Sequence, residues 1–392
     1  MQHSPNGRGH TRYVPALIAA AVAATLVAGC GGKTSNTMGM WIANGTNVVE
    51  YAPNQLMGGT SMAVPHLMNN SGSFGAPQGV TFDSKGNLWV MDPQAMVNGN
   101  MAPALLEFSP MQLAGLGSMN TPTPVATITS GALNFPQQSV FDKAGNQWVT
   151  DHNNNTVLVF TAAQLAMTGV NDLTPAVTIT SANATNALSN FNGPLGIVFD
   201  KQGDLFIANN GAVTDAAGNM SAPGTSIVVF LAAHLPAVPT NGTPTTTDLA
   251  PDYTLTDTGG TTIQEPWALQ FDASGNLFSS NAANPNTIVA FMASSLMMNG
   301  SPTPFKTISP TTVGGNMTLV APNGICFDNA GDLAAVSSAA PFGLAFYNNP
   351  LPNGAATPST FIAPGDTVTN GQATTAGSTL NAPAGCNFGP LH

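Results

Sequence analysis

Basic residues are nearly absent from this 392-residue chain. Its two arginines, Arg8 and Arg12, lie at the extreme N-terminus, and beyond residue 30 there are five lysines and no arginine. A nucleic-acid-binding protein needs a basic patch to neutralise phosphates, so that function class is excluded. Charge of either sign is scarce: 6% of residues are charged and the formal net charge is −11. Typical soluble domains carry about 25% charged residues. Hydrophobic residues make up 43%, enough for a large core and too many for a disordered chain. Cysteine is limited to Cys30, Cys326 and Cys386. No G-x-S-x-G elbow, Walker loop or dinucleotide-binding glycine motif is present. Beyond the N-terminal segment the histidines are His66, His152, His234 and His392, a poor basis for a three-histidine zinc site. What is plentiful is Gly (41) and Pro (31), which disfavours a helical bundle and fits many short strands joined by turns.

The N-terminus reads as an export signal. Residues 1–13 are polar, and residues 14–29 form an apolar run of 16, short of the ~20 residues a membrane-spanning helix needs. Cys30 follows Val27-Ala28-Gly29. This resembles a bacterial lipobox, which implies a diacylglycerol on Cys30 and cleavage before it. Residues 1–29 are then the signal peptide, 30–39 a tether and 40–392 the folded domain. Residue 31 is Gly, not Asp, which implies the outer membrane where that sorting rule operates. The expected location is the cell envelope, with the lipid as the one membrane contact.

One segment recurs: PQGVTFDSKGNLWVMD (77–92), PQQSVFDKAGNQWVTD (136–151), PLGIVFDKQGDLFIAN (194–209), PWALQFDASGNLFSSN (266–281) and PNGICFDNAGDLAAVS (322–337). Each copy reads as a hairpin with an Asp-x-x-Gly-Asn/Asp turn, glycine supplying the positive φ. A third strand ends at Phe108, Phe160, Phe230, Phe291 or Phe346, and VATIT, AVTIT and FKTIS suggest a fourth. Four strands in roughly 60 residues make one propeller blade. A sixth, partial copy, PAGCNFG (383–389), has only a first strand, and MWIANGTNVVEY (40–51) supplies the second and third. The fold expected is all-β: a six-bladed propeller of four-stranded blades, the last closed by both termini. Closure removes exposed sheet edges.

An oxidising compartment permits a disulfide between Cys326 and Cys386. They fall on the innermost strands of neighbouring blades, one residue and two residues before their phenylalanines. Strand alternation then aims them at different faces, which argues against a bond.

Three residues after each second-strand aromatic position stand Asn44, Asp92, Asp151, Asn209, Asn281 and Ser337. They form a ring of short polar side chains on the face where the innermost strands begin. Such residues either bond nearby turn amides or form a ligand rim together with His152. The connections 93–104 and 210–225 are the long ones on this face, and long loops on a rigid scaffold often carry binding. They hold Met96, Met101 and Met220 and few charges, which suits adhesive contact. The methionines form no Met-x-x-Met array, so packing accounts for them better than copper.

The repeat P-x-G-x-x-F-D-x-x-G-N-L-W-V-x-D resembles NHL-repeat propellers and the related senescence-marker-protein/gluconolactonase propellers. The resemblance covers nearly all of residues 40–392 and implies a fold more than a function. Its lactonases hold a divalent cation through a Glu, an Asn in an Asn-Gly-Leu/Ile context and an Asp. Of the positions following the repeated proline, only Asn323 matches. Glu265 stands two residues early in Glu-Pro-Trp, and Asp151 would be the third oxygen donor. The reading adopted is an envelope lipoprotein that binds a protein, small molecule or glycan, with no cofactor. Its ligand-binding candidates are Asp92, Asp151, His152, Asn209, Asn281 and Asn323. The alternative is a metal-dependent, lactonase-like hydrolase.

Overall fold

The computed structural model describes residues 38–390, less 57–65, 69–71, 117–120, 183–189, 212–222, 241, 258–261, 341 and 363–379. The expected signal sequence, Cys30, and most of the connection 210–225 with Met220 lie outside the described residues. A compact unit spans Ser35–His392.

Each repeat folds as expected, and the six sheets form a β-propeller. Blade 1 runs from the channel outward as Gly79–Phe82, Leu88–Val97, Asn100–Phe108 and Ala126–Thr129. Blade 2 is Pro136–Phe141, Gln147–Asp151, Thr156–Phe160 and Val177–Thr180. Blade 3 is Pro194–Phe199, Leu205–Gly211, Pro223–Phe230 and Tyr253–Thr256. Blade 4 is Pro266–Phe271, Leu277–Asn281, Ile288–Phe291 and Lys306–Ser309. Blade 5 is Pro322–Phe327, Leu333–Ser337, Gly343–Tyr347 and Thr360–Ile362. Blade 6 joins the C-terminal strand Pro383–Pro390 to the N-terminal strands Met38–Asn44, Asn47–Tyr51 and His66–Met68. Met38 and Gly39 already pair with Pro390 and Gly389, so the strand starts inside the segment expected to be tether.

Among the described residues, three blades carry a fifth strand that the repeat did not predict. Gly169–Asp172 of blade 2 pairs in parallel with the outer strand of blade 1. Thr245–Asp248 of blade 3 does the same for blade 2, and Gly354–Ala355 of blade 5 for blade 4. Each covers an outer edge whose backbone groups would otherwise stay open to pairing with another chain.

The hydrophobic core is divided into six apolar layers, each shared by two neighbouring blades. Aromatic pairs bind the layers together. The second-strand aromatic of one blade meets the innermost-strand phenylalanine of the next, edge to face: Trp41–Phe82, Trp89–Phe141, Trp148–Phe199, Phe206–Phe271 and Phe278–Phe327. Edge-to-face is the favourable geometry for two ring quadrupoles. Between blades 5 and 6 the second-strand position is Ala334, which faces Cys326 across the blade 5 hairpin. Here Cys326 and Cys386 form a disulfide, with Cα atoms 6.0 Å apart. The bond occupies the junction that lacks its aromatic pair.

The disulfide overturns the alternation argument. Opposed parity would separate two cysteines on one sheet. Neighbouring blades, however, stack opposite faces against each other, so cysteines on opposite faces of their own strands meet across the junction.

The opposite end of the ring, the turn face, is built from the Asp-x-x-Gly turns. In each, the aspartate Oδ1 accepts from the amides two and four residues on: Lys85 and Asn87 for Asp83, Ala144 and Asn146 for Asp142. Gly86 takes φ +81°, open to glycine at little cost. The turns are also linked to one another. Lys143 Nζ donates to the Lys201 carbonyl, and Lys201 Nζ to the Ala273 carbonyl.

Candidate functional site

The six rim residues are 0–1% exposed, and every one is bonded to backbone. Asp92 accepts from the amides of Gly75 (2.8 Å), Ala76 (2.9 Å) and Gln94 (2.8 Å). Asp151 accepts from Asn134 (2.6 Å), Phe135 (3.1 Å) and Asn154 (3.4 Å). Asn209 accepts from Asn192 and donates to the Asn190 carbonyl; Asn281 accepts from Gln264 and donates to the Thr262 carbonyl. Ser337 accepts from Val320, and Asn44 from Asn381. In blades 1 to 5 the partner amide lies 17 residues upstream. The rim is thus a repeated clamp on the segment that leads into each innermost strand. Asp and Asn interchange because the role is to accept amide hydrogens; asparagine adds one donor. Burial pushes the Asp92 and Asp151 carboxyls above their ordinary range, against the pull of the amides.

His152 is half-buried. Its Nε2 lies 3.0 Å from the Gly211 carbonyl and its Nδ1 2.9 Å from Asn153 Oδ1. A carbonyl only accepts, so Nε2 carries a proton. The ring ties blade 2 to blade 3.

Asn323 is 6% exposed and its Oδ1 has no hydrogen-bond partner among the described residues. Glu265 takes φ +46°, as do Ala321 and Ala382 in similar fashion at +44° and +52°. Each precedes the proline that opens an innermost strand, so this backbone belongs to the blade entry. The N–H of Glu265 donates to Gly224 and its carbonyl accepts from Ala282. Asp151 has both carboxylate oxygens committed to amides and could ligate a cation only by releasing its entry segment. Among the described residues, no group of three or more His, Cys, Asp or Glu is arranged to hold a metal. Of the trio Glu265, Asn323 and Asp151, Asp151 is the member held by backbone amides through both oxygens.

The central channel is lined by all six innermost strands, including Gly79, Ser139, Ile197, Gln270, Gly324 and Asn387. Its void is about 30 Å³, room for little more than water.

The connection 93–104, expected as a loop, is a continuation of two strands. Leu88–Val97 and Asn100–Phe108 run past the rim as a paired hairpin, with a bulge between Asp92 and Ala95. Asn98 (φ 50°) and Gly99 (φ 81°) make the turn. Asn-Gly is the dipeptide that two-residue hairpins favour, and this signal was legible in the sequence. Met96 and Met101 face each other near the tip, 37% and 70% exposed.

Sequence reasoning missed Glu107. This carboxyl, at the penultimate position of the third strand of blade 1, is 9% exposed. The corresponding residues of blades 2, 3 and 4 are Val159, Val229 and Ala290, and that of blade 6 is Glu50, so a glutamate at a position that is apolar in three blades was the available signal. Burial, then the nearby Asp83, pushes its pKa up to about 7, while Lys85 pulls the other way. The native state therefore holds this proton more tightly than the unfolded chain. Stability from this group is fully present below the ordinary carboxylate range and is lost as pH rises through about 7. In thermal melts, Glu107→Gln is expected to gain on the wild type between about pH 5 and pH 8 and to hold that gain above. A difference independent of pH would contradict the assignment.

No family model matches the sequence, and no curated protein matches it. Among solved structures, a Bacteroides caccae protein of unknown function superposes with a TM-score of 0.51 at 9% identity, over 91% of this chain and 100% of that one. The Pseudomonas aeruginosa periplasmic gluconolactonase gives 0.49 at 14% identity, over 91% and 99%. A streptogramin B lyase gives 0.42 at 15% identity, over 80% and 87%. The first of these shares the fold; such low identities carry nothing further.

Proposed function

We propose that the chain is a lipid-anchored envelope protein whose propeller is a binding module, with the Asn98–Gly99 hairpin as its contact surface. The observation that carries this reading is the projecting hairpin with Met96 and Met101 exposed at its tip. Methionine suits adaptable apolar contact. Among the described residues, the rim carboxylates Asp92 and Asp151 hold backbone amides and so are not free for acid–base work. Met38 pairs with Pro390 at the turn end of blade 6, the end of the ring opposite the hairpin. The hydrolase alternative is favoured by the unpartnered Asn323 oxygen and would need Asp151 to release its amides.

Site-specific photo-crosslinking in cells tests the proposal. A crosslinker at position 101 is expected to give a discrete adduct that one at Met167, on the turn face, does not. Introducing Met96→Asp and Met101→Asp should abolish a neighbouring adduct with the melting temperature unchanged. Equal adducts from both faces, or an adduct indifferent to the two aspartates, would overturn it.

A further inference from the structure

The turn face holds a cleft between blades 1 and 2 of about 420 Å³, within the range of small-molecule sites. It is repeated between blades 3 and 4, where the cleft is about 520 Å³. The inter-blade opening is therefore a property of the fold, and what distinguishes the first cleft is its chemistry. Glu107 lines it, 9% exposed, and its carboxylate makes no hydrogen bond among the described residues. The equivalent residue for the second cleft is Val229. The same register position of blade 6 also holds a buried glutamate, Glu50, so what is particular to this cleft is Glu107 together with Lys85.

The other charged groups around the cleft are Asp83, Asp142, Lys85 and Lys143. Three of the four are occupied. Asp83 and Asp142 accept from their own turn amides and from the Asn87 and Asn146 side chains. Lys143 donates to the Lys201 carbonyl. Lys85 is exposed, and its ammonium makes no hydrogen bond or ion pair among the described residues. The cleft thus presents a carboxylate and an exposed ammonium that act on each other electrostatically and share no hydrogen bond or ion pair among the described residues. Val125, Phe141 and Leu165 form apolar wall between them.

We propose that this cleft binds a small apolar zwitterion of the amino-acid class, with its ammonium on Glu107, its carboxylate on Lys85 and its side chain on the Val125–Phe141–Leu165 wall. A cation alone would leave Lys85 unpaired and meet its repulsion; an anion alone would leave Glu107 without a donor. The zwitterion supplies both charge-assisted hydrogen bonds. This site is separate from the hairpin, and its test does not depend on that reading.

Titration calorimetry with leucine on the full-length chain decides it, with isoamylamine and isocaproate as single-charge controls. The expected result is one saturable leucine site at millimolar ligand, and weaker binding of both controls. Glu107→Gln is expected to reduce the affinity about tenfold or more. Lys85→Ala, at an exposed position that leaves folding intact, is expected to reduce it severalfold. Wild-type affinity should rise roughly tenfold from about pH 6 to about pH 8 as Glu107 ionises, and the Glu107→Gln profile should be flat. Trp89, cross-strand from Glu107, should change its fluorescence on binding. No saturable leucine binding, binding unaffected by both variants, or isoamylamine binding as well as leucine to the wild type would each overturn the proposal.

Discussion

Loss of the Cys326–Cys386 bond is expected to cost about 2–4 kcal/mol of stability. The disulfide closes a loop of 60 residues, and a cross-link of that span removes much conformational freedom from the unfolded chain. It also bridges the junction where Ala334 replaces the aromatic found in blades 1 to 4. That junction includes the strand on which ring closure depends, Pro383–Pro390. A Cys326→Ser, Cys386→Ser double variant should therefore unfold at lower urea than the wild type, and reductant should lower the wild type to the same midpoint. A midpoint shift worth less than about 0.5 kcal/mol, the scale of an ordinary surface substitution, would show that packing alone closes the ring.

Asp92→Ala is expected to be more damaging still, at about 3–5 kcal/mol. Its carboxylate accepts from three amides, those of Gly75, Ala76 and Gln94. Gly75 and Ala76 are half-buried and Gln94 is exposed; an amide left without an acceptor away from water costs about 1–3 kcal/mol. Asp92→Asn should recover most of the loss, because Asn209 and Asn281 perform the same task in blades 3 and 4 with one acceptor oxygen. Chemical denaturation of the two variants separates the roles. Were Asp92 a ligand group exposed at the rim, alanine would be tolerated within about 0.5 kcal/mol.

The fold was legible because its period is written in chemistry. Asp-x-x-Gly forces a tight turn, the proline marks each strand entry, and the aromatic seven residues after each repeated phenylalanine reaches the next blade. Ring closure was legible because PAGCNFG lacks a second strand and MWIANGTNVVEY lacks a first. The short parallel strands on the outer edges were not, since Gly169–Asp172 and Thr245–Asp248 are set by their neighbours' open edges and carry little pattern of their own. The disulfide was misread because alternation within one sheet was applied to two sheets that stack face to face. The rim was located correctly by spacing, but sequence could not decide whether its side chains turn to solvent or to backbone. The 17-residue offset between each rim side chain and its amide became meaningful only once the entry segments were in view. Glu107 was overlooked because nothing within blade 1 marks it; comparison with Val159, Val229 and Ala290 does.

The central claim is that the polar rim is a clamp and leaves contact to the hairpin. Residue-resolved hydrogen exchange of the native protein tests it most directly. The amides of Gly75, Ala76, Asn134, Phe135, Asn192, Gln264, Val320 and Asn381 belong to connecting segments, yet each donates to a buried rim side chain. The account predicts that they exchange as slowly as the strands they precede, through global opening, and that Asp92→Ala releases Gly75 and Ala76 selectively. Exchange of these amides at the rate of free loops in the wild type would contradict it and return the rim to the ligand.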